Sequence, residues 1–372
     1  MVSAVTWKRI SLVMMLLGAA GAGAILLFGE AVLGTTDGVP WGSLIATYLF
    51  FAAASVGLTL MASLWYVFGI EAFKPVTKRA LYLAILSVLM GFGAIGLELG
   101  RPLNMFWLIF SPNLSSAIWW MGTLYAVYLG FRILCVYCIY KQDEGKVLTF
   151  SRITVVAGLL AVSNLGSVFG NAQARPFWQG GAMPFYFIIV ALLTGTAILV
   201  VTFAMLEKSK PAVAGNGEAL PPLLGRLLLY FVVAFGFFKF WYLSNSIYGL
   251  NPGTFEGAKI LLSGPLSVQF WALEVGLTIV IPLFLLARPE KYTNGRILWA
   301  ALASLIGVFF AHQNFVLAGQ LAPLQVIPGD MLLYHQYQTM PAEWAIVVGG
   351  IGALIYFSLW VEHKFFRSST AA

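Results

Sequence analysis

Ten runs of mostly apolar residues punctuate this chain, at positions 10–28, 43–68, 80–97, 115–140, 153–170, 184–205, 222–242, 268–286, 296–315 and 341–361. Each is near the ~20 apolar residues that a helix needs to cross a bilayer core. The first run follows Lys8 and Arg9 and ends in small residues, as a secretory signal does; its removal would leave nine spans. The charges between the runs favour ten.

Lys8, Arg9, Lys74, Lys78, Arg79, Lys141, Lys146, Arg152, Lys208, Lys210, Arg226, Arg288, Lys291, Arg296, Lys364 and Arg367 all fall on one side of a ten-span threading. The other side receives Arg101, Arg175 and Lys259, while Arg132 and Lys239 lie inside spans. Positively charged loops mark the cytoplasmic face, so both termini are expected there. The fold class that follows is an all-α polytopic membrane protein with ten transmembrane helices.

Composition agrees. The chain of 372 residues is 60% hydrophobic and 9% charged, against about 25% charged for a typical soluble protein. Its net charge of +7 would suggest nucleic acid in a soluble chain. Here the cations sit in short loops and serve topology, and no nucleic-acid partner is expected.

Internal likeness refines the organisation. LSSAIW (114–119) opens the fourth run and LSVQFW (266–271) the eighth; AVSNL (161–165) and AHQNF (311–315) occupy matching places in the fifth and ninth. These offsets predict two pseudo-repeated four-helix bundles of the same orientation, with the first and last spans peripheral. The expected divisions are 1–42 for peripheral helix 1 and an outer loop, 43–170 for the first bundle, 171–316 for the second, and 317–372 for an outer loop, peripheral helix 10 and a cytoplasmic tail. Three longer connections, 99–114, 243–267 and 316–340, lie on the outer side with little charge and read as a docking surface. Eight of the twelve tryptophans lie at or near that face: Trp41, Trp107, Trp119, Trp120, Trp178, Trp241, Trp271 and Trp344.

Polar residues within the spans gather near the same face: Glu98, Arg101, Asn164, Lys239, Glu274, His312, Gln313 and Asn314. The cytoplasmic half shows little beyond Arg132, Thr194 and Thr196. Charges in a membrane are costly and usually serve a function or pair with one another. A haem held between helices usually needs paired histidines, and only His312 lies in a span; a cluster needs four cysteines, and the chain has two. No haem, iron–sulfur cluster or metal site is therefore expected. The cysteines, Cys135 and Cys138, read as small side chains packed on one helix face. Any electron transfer would then involve an organic substrate in the bilayer, with metal centres on another subunit. A quinol site needs an apolar slot, partners for two ring oxygens and a proton-exchanging group. Glu98 suits the proton role, Trp107 could stack on a ring and Asn104 could donate to it. The alternative for Glu98 and Arg101 is an ion pair that locks the end of span three. Lys239, Glu274 and His312, with Asn314 beside them, form a second polar cluster in the other bundle, and pairing to avoid a lone charge is favoured over proton relay.

Several motifs carry a resemblance. PWG (40–42), ELGR (98–101), SNLGS (163–167), RPFW (175–178), MPFYF (183–187) and HQNFVLAGQ (312–320) together resemble the NrfD/PsrC family of polysulfide-reductase-type membrane subunits, in its ten-span HybB-like branch. The resemblance implies a subunit that exchanges electrons with menaquinol or menaquinone, as substrate, near the periplasmic face of a prokaryotic cytoplasmic membrane. It implies a ferredoxin-like iron–sulfur partner there, further catalytic or cytochrome subunits, and surrounding membrane lipid. Carried over residue by residue, it implies quinone contacts for Tyr48, Glu98, Arg101, Asn164 and Arg175. The chain departs from the family pattern at Ala161, where some members have histidine, and at His312, where many have arginine. Two other classes compete: a secondary transporter, which ten spans and a repeat would suit, and a non-catalytic membrane anchor. A transporter would place its polar site at the midplane, whereas these polar groups gather at one face.

Overall fold

The computed structural model describes residues 4–100, 102–206, 220–249, 251–324 and 333–367. Arg101, Lys208 and Lys210 lie outside the described residues. Every element among them is helical: α1 (Ala4–Phe28), α2 (Ser43–Tyr66), α3 (Lys74–Glu98), α4 (Trp107–Phe110), α5 (Ala117–Tyr140), α6 (Glu144–Gly170), α7 (Met183–Leu206), α8 (Leu220–Tyr248), α9 (Pro252–Leu262), a π-helical stretch Gln269–Val280 continuing into α10 (Ile281–Leu286), α11 (Asn294–Leu321) and α12 (Pro341–Val361), besides short 3₁₀ turns and a π-helical end at Glu362–Arg367. Among the described residues ten helices are long and apolar enough to span a membrane. Several overrun the apolar runs that mark them, because hydropathy reports only the hydrocarbon depth; α6 begins at Glu144, for instance, with Asp143 capping it through Lys146 N–H. The end that carries Gly42 and Glu98 is called upper below, and the end that carries Arg79 and Lys146 lower.

The connection at 243–267 is not the plain loop its composition suggests. α8 continues to Tyr248, and α9 starts at Pro252, capped by Asn251, whose side chain accepts from Gly253 N–H. Asparagine at the cap and proline just inside it form a helix-start signal.

Helices α2, α3, α5 and α6 pack as one group, and α7, α8, the π-helical stretch with α10, and α11 as another. α2 and α7 meet at the centre, where Gly57 and Gly195 let the backbones touch: a Cβ on Gly57 would lie 1.7 Å from the Ala191 carbonyl oxygen. Small residues permit such approach between membrane helices, which gain their association from packing. The LSxxxW segments make parallel contacts in the two groups. Trp119 donates its indole N–H to Leu108 O on α4, and Trp271 donates to Leu262 O on α9. Asn164 reaches Ala117 O at the start of α5, and Asn314 reaches Glu274 in the π-helical stretch.

α1 and α12 form a separate pair joined by close approach, with Gly18 against Gly349 and Gly352 against Met14 and Ser11. At the lower end Arg79 of α3 holds Glu362 through two hydrogen bonds of 2.9 and 2.8 Å, the forked geometry in which arginine binds carboxylates best.

Candidate functional site

The start of α2 is the most heavily bonded point of the upper end. The first amides of a helix lack partners within it and attract negative charge. Here Gly42 N–H donates to Glu98 Oε1 at 2.9 Å, and the next amide, Ser43 N–H, donates to Glu343 Oε1 at 3.2 Å and to Tyr337 Oη at 2.7 Å. Two carboxyls from α3 and α12 thus meet consecutive amides of one helix start. Glu98 Oε2 is buried and has no hydrogen-bond partner among the described residues. Gly100, two residues on, turns the chain at φ +64°, which glycine adopts without strain, and a Cβ there would lie 3.0 Å from Glu30 Oε1. A third carboxyl therefore stands beside this turn.

Glu343 is a residue the sequence reasoning did not single out, and it is fully buried. Besides Ser43 it accepts from Gly34 N–H at 2.9 Å, Met340 N–H at 2.8 Å and Tyr337 O–H at 2.5 Å. Its signal was present: Pro341 and a glutamate in the first turn mark a helix start. Around it, Gln313 Nε2 donates to Ser43 Oγ and Thr339 Oγ1, both at 2.8 Å. Burial and the Glu343 contact push the Tyr337 phenol above its ordinary pKa. Glu343→Gln keeps the side chain's shape but turns an amide N–H₂ toward donors. Loss of charge-assisted bonds of this kind costs about 2–3 kcal/mol, so a lowered thermal unfolding midpoint in detergent is expected; an unchanged midpoint would contradict the role assigned to Glu343.

The aromatic and glutamine residues of the motifs form a knot between the two groups of helices. Trp41 stacks on Trp178 at 5.3 Å, and Trp178 donates to Phe315 O at 2.7 Å. Gln320 and Trp41 exchange two hydrogen bonds of 2.9 Å through the Trp41 backbone. Arg175 donates to three carbonyls, Gly38 O at 3.2 Å, Gln320 O at 3.1 Å and Ala322 O at 3.5 Å. Partial burial holds its guanidinium pKa below the ordinary value.

The predicted quinone contacts are distributed around this end. Tyr48 is buried one and a half turns into α2, with its ring 6.4 Å from that of Tyr125. Asn164 is committed to Ala117 O at 2.9 Å. Trp107, on α4, is 64% exposed and lies edge-on to Phe110. Among the described residues no hydrogen bond joins Tyr48, Glu98, Asn164 and Arg175 to one another; of the four, Glu98 is the one with an unsatisfied buried oxygen.

Below Tyr48 the first group carries more polar groups than the sequence suggested. Tyr125 stands between Tyr48 and Tyr128, with ring centroids 6.4 and 6.1 Å away. Tyr128 Oη meets Ser55 Oγ at 2.8 Å and Thr59 Oγ1 at 2.6 Å, and the Arg132 guanidinium lies 5.8 Å from its ring. These hydroxyls are invisible to a survey of charged residues because serine, threonine and tyrosine pass as ordinary members of an apolar span.

The second cluster is a compact ion pair. Lys239 Nζ lies 2.7 Å from Glu274 Oε1, and Asn314 Nδ2 donates to Glu274 Oε2 at 2.7 Å. The ammonium lies 5.8 Å from the ring of Tyr186 and 5.9 Å from that of Phe270. His312 stands apart: its Nδ1 faces Val308 O at 2.9 Å and its Nε2 has no partner among the described residues. Glu274 sits in the π-helical stretch, a conformation that is rare in proteins and concentrated at functional sites.

Comparison with known proteins bears on this arrangement. The chain is 25% identical to a selenate reductase subunit of Mesobacillus selenatarsenatis, over 87% of this chain and 85% of that one. It is 24% identical to the Hdr-like menaquinol oxidoreductase integral membrane subunit of Archaeoglobus fulgidus, over 90% and 86%. It is 22% identical to the protein NrfD of Escherichia coli, over 77% and 96%. The family model described as polysulphide reductase, NrfD, matches residues 31–323, from the turn at Glu30 to the end of α11. With ten apolar helices and a family match over most of its length, this multi-pass membrane protein belongs to the NrfD family.

Proposed function

We propose that the chain is the membrane subunit of a respiratory oxidoreductase complex, and that it exchanges electrons and protons with menaquinol or menaquinone near its upper, periplasmic end. Relatives across bacteria and archaea are named as subunits of selenate reductase, dimethyl sulfoxide reductase and menaquinol oxidoreductase systems, which supports the complex-bound redox role. The observation that carries the quinone reading is Glu98: a carboxyl with one oxygen anchored on Gly42 N–H and the other buried, with no hydrogen-bond partner among the described residues. Buried polar atoms are nearly always paired, with protein, water or a ligand, so an orphan oxygen at a membrane face leaves a place for a hydrogen-bonding ligand.

Quinol oxidation releases two protons and two electrons. Glu98 takes one proton at Oε2 while the Gly42 amide holds its other oxygen in place, passes it to water at the upper end, and takes the second in turn. The electrons leave to an iron–sulfur partner docked at the upper end, where Leu103, Phe106, Trp107 and Phe110 are exposed. With both termini and the cationic loops on the cytoplasmic side, that surface faces the periplasm. The test is reconstitution of the purified complex in liposomes, with and without this chain. Menaquinol-dependent reduction of the partner's clusters is expected only when the chain is present; equal reduction without it would overturn the proposal.

A further inference from the structure

Between its two ties, the α1/α12 pair leaves a gap against the rest of the protein. The upper tie is Glu343 on the start of α2; the lower tie is Arg79 on Glu362. The gap has a volume of about 460 Å³ and is walled by residues such as Phe51, Leu83, Val201, Leu302 and Ile351, from α2, α3, α7, α11 and α12. Along α12 it runs from Trp344 to Leu359, about 22 Å at 1.5 Å per residue. Thr202 and Ser358 line it, but each hydroxyl donates to its own helix, to Ile198 O and Leu354 O. The wall therefore offers hydrocarbon only.

The two ends differ. At the upper end Trp344 closes against Phe309 and Phe310, with ring centroids 6.1 and 6.3 Å apart. At the lower end Trp7 lines the gap, followed in sequence by the exposed cations Lys8 and Arg9. Lys8 Nζ lies 5.6 Å from the ring of Tyr356, next to the lining residue Ile355. A gap continuous with the lipid-facing surface of a membrane protein fills with bilayer hydrocarbon, because an empty one forfeits dispersion contacts on every wall. Its length exceeds the ~15 Å of one leaflet's hydrocarbon, half of the bilayer core, so the occupant is a chain held extended.

We propose that this gap seats one acyl chain of an anionic phospholipid, entering from the lower leaflet with its headgroup against Lys8 and Arg9. The lipid is then part of the fold and packs the α1/α12 pair onto α7 and α11. A prenyl tail arriving from the Glu98 end along the helix axis would meet the Trp344–Phe309–Phe310 contact first.

The test is native mass spectrometry of the chain purified in mild detergent, after incubation with phosphatidylcholine vesicles with or without phosphatidylglycerol. The expected result is about one phosphatidylglycerol retained per chain. Leu302→Trp, which fills the gap, should lower its retention about tenfold or more. Lys8→Gln with Arg9→Gln leaves the wall intact and should abolish the preference for phosphatidylglycerol; this readout stands even where Leu302→Trp fails to fold. Retention of no phospholipid, retention of a prenyl lipid in its place, undiminished retention by a folded Leu302→Trp, or an unchanged preference in the Lys8/Arg9 variant would each overturn the proposal.

Discussion

Replacement of Glu98 by glutamine is expected to slow menaquinol oxidation by the intact complex about 100-fold or more, the scale on which a positioned proton acceptor contributes. The substitution separates two roles that coincide in this side chain. Glutamine retains a carbonyl oxygen at the position of Oε1, so Gly42 N–H keeps its 2.9 Å partner and the start of α2 stays anchored. It cannot accept the quinol proton. Complex abundance and thermal midpoint should therefore match the parent while turnover collapses. Glu98→Asp supplies the converse: it keeps a titrating carboxyl but draws it back from Gly42, and some turnover should survive. Full turnover in the glutamine variant would reduce Glu98 to a helix anchor and remove the main support for quinone chemistry at this end.

Lys239→Met should be the most destabilising single change in the second group of helices. The pair with Glu274 is buried, with side chains 4% and 0% exposed. Removal of one partner from such a pair costs about 3–5 kcal/mol, because the surviving charge is left in a low-dielectric interior. Asn314 Nδ2 would remain on Glu274 but supplies no charge. Unfolding in detergent should fall accordingly. The double variant Lys239→Met with Glu274→Met should recover most of the loss, since two apolar side chains of similar volume replace a pair whose desolvation cost offsets its attraction. A double variant as unstable as the single one would assign the pair a positive role beyond charge neutralisation.

The ten spans were legible because hydrocarbon thickness imposes a minimum apolar length, and the runs at 43–68 and 341–361 report it directly. In the short matches LSSAIW and LSVQFW, Trp119 and Trp271 each donate to a backbone carbonyl of the preceding helix. What could not be read were features set by tertiary proximity. The π-helical stretch keeps the same apolar composition as an α-helix, so nothing in 269–280 announced it. Glu98 was found because, with Arg101, it puts charge at the end of an apolar span; the Gly42 amide that holds it carries no side chain to notice. Glu343 and Tyr337 were missed because they precede or open an apolar span and look like ordinary boundary residues. The motifs that carry the family resemblance also proved to do more than line one end. Trp41, Trp178 and Gln320 hold the two groups of helices together, so PWG, RPFW and HQNFVLAGQ each carry a packing role.

The Lys239–Glu274 pair also constrains biogenesis. During synthesis α8 enters the bilayer with its ammonium before Glu274 has been made. A charge at the centre of a helix adds about 2.5–3.5 kcal/mol to its insertion, and one nearer the face adds less. Neither segment is at its best in lipid until the other arrives, so α8 and the π-helical segment are driven to leave the insertion machinery together, with α9 carried between them on the upper side. The lysine that secures the finished protein is thus the residue that makes its own helix costly to insert.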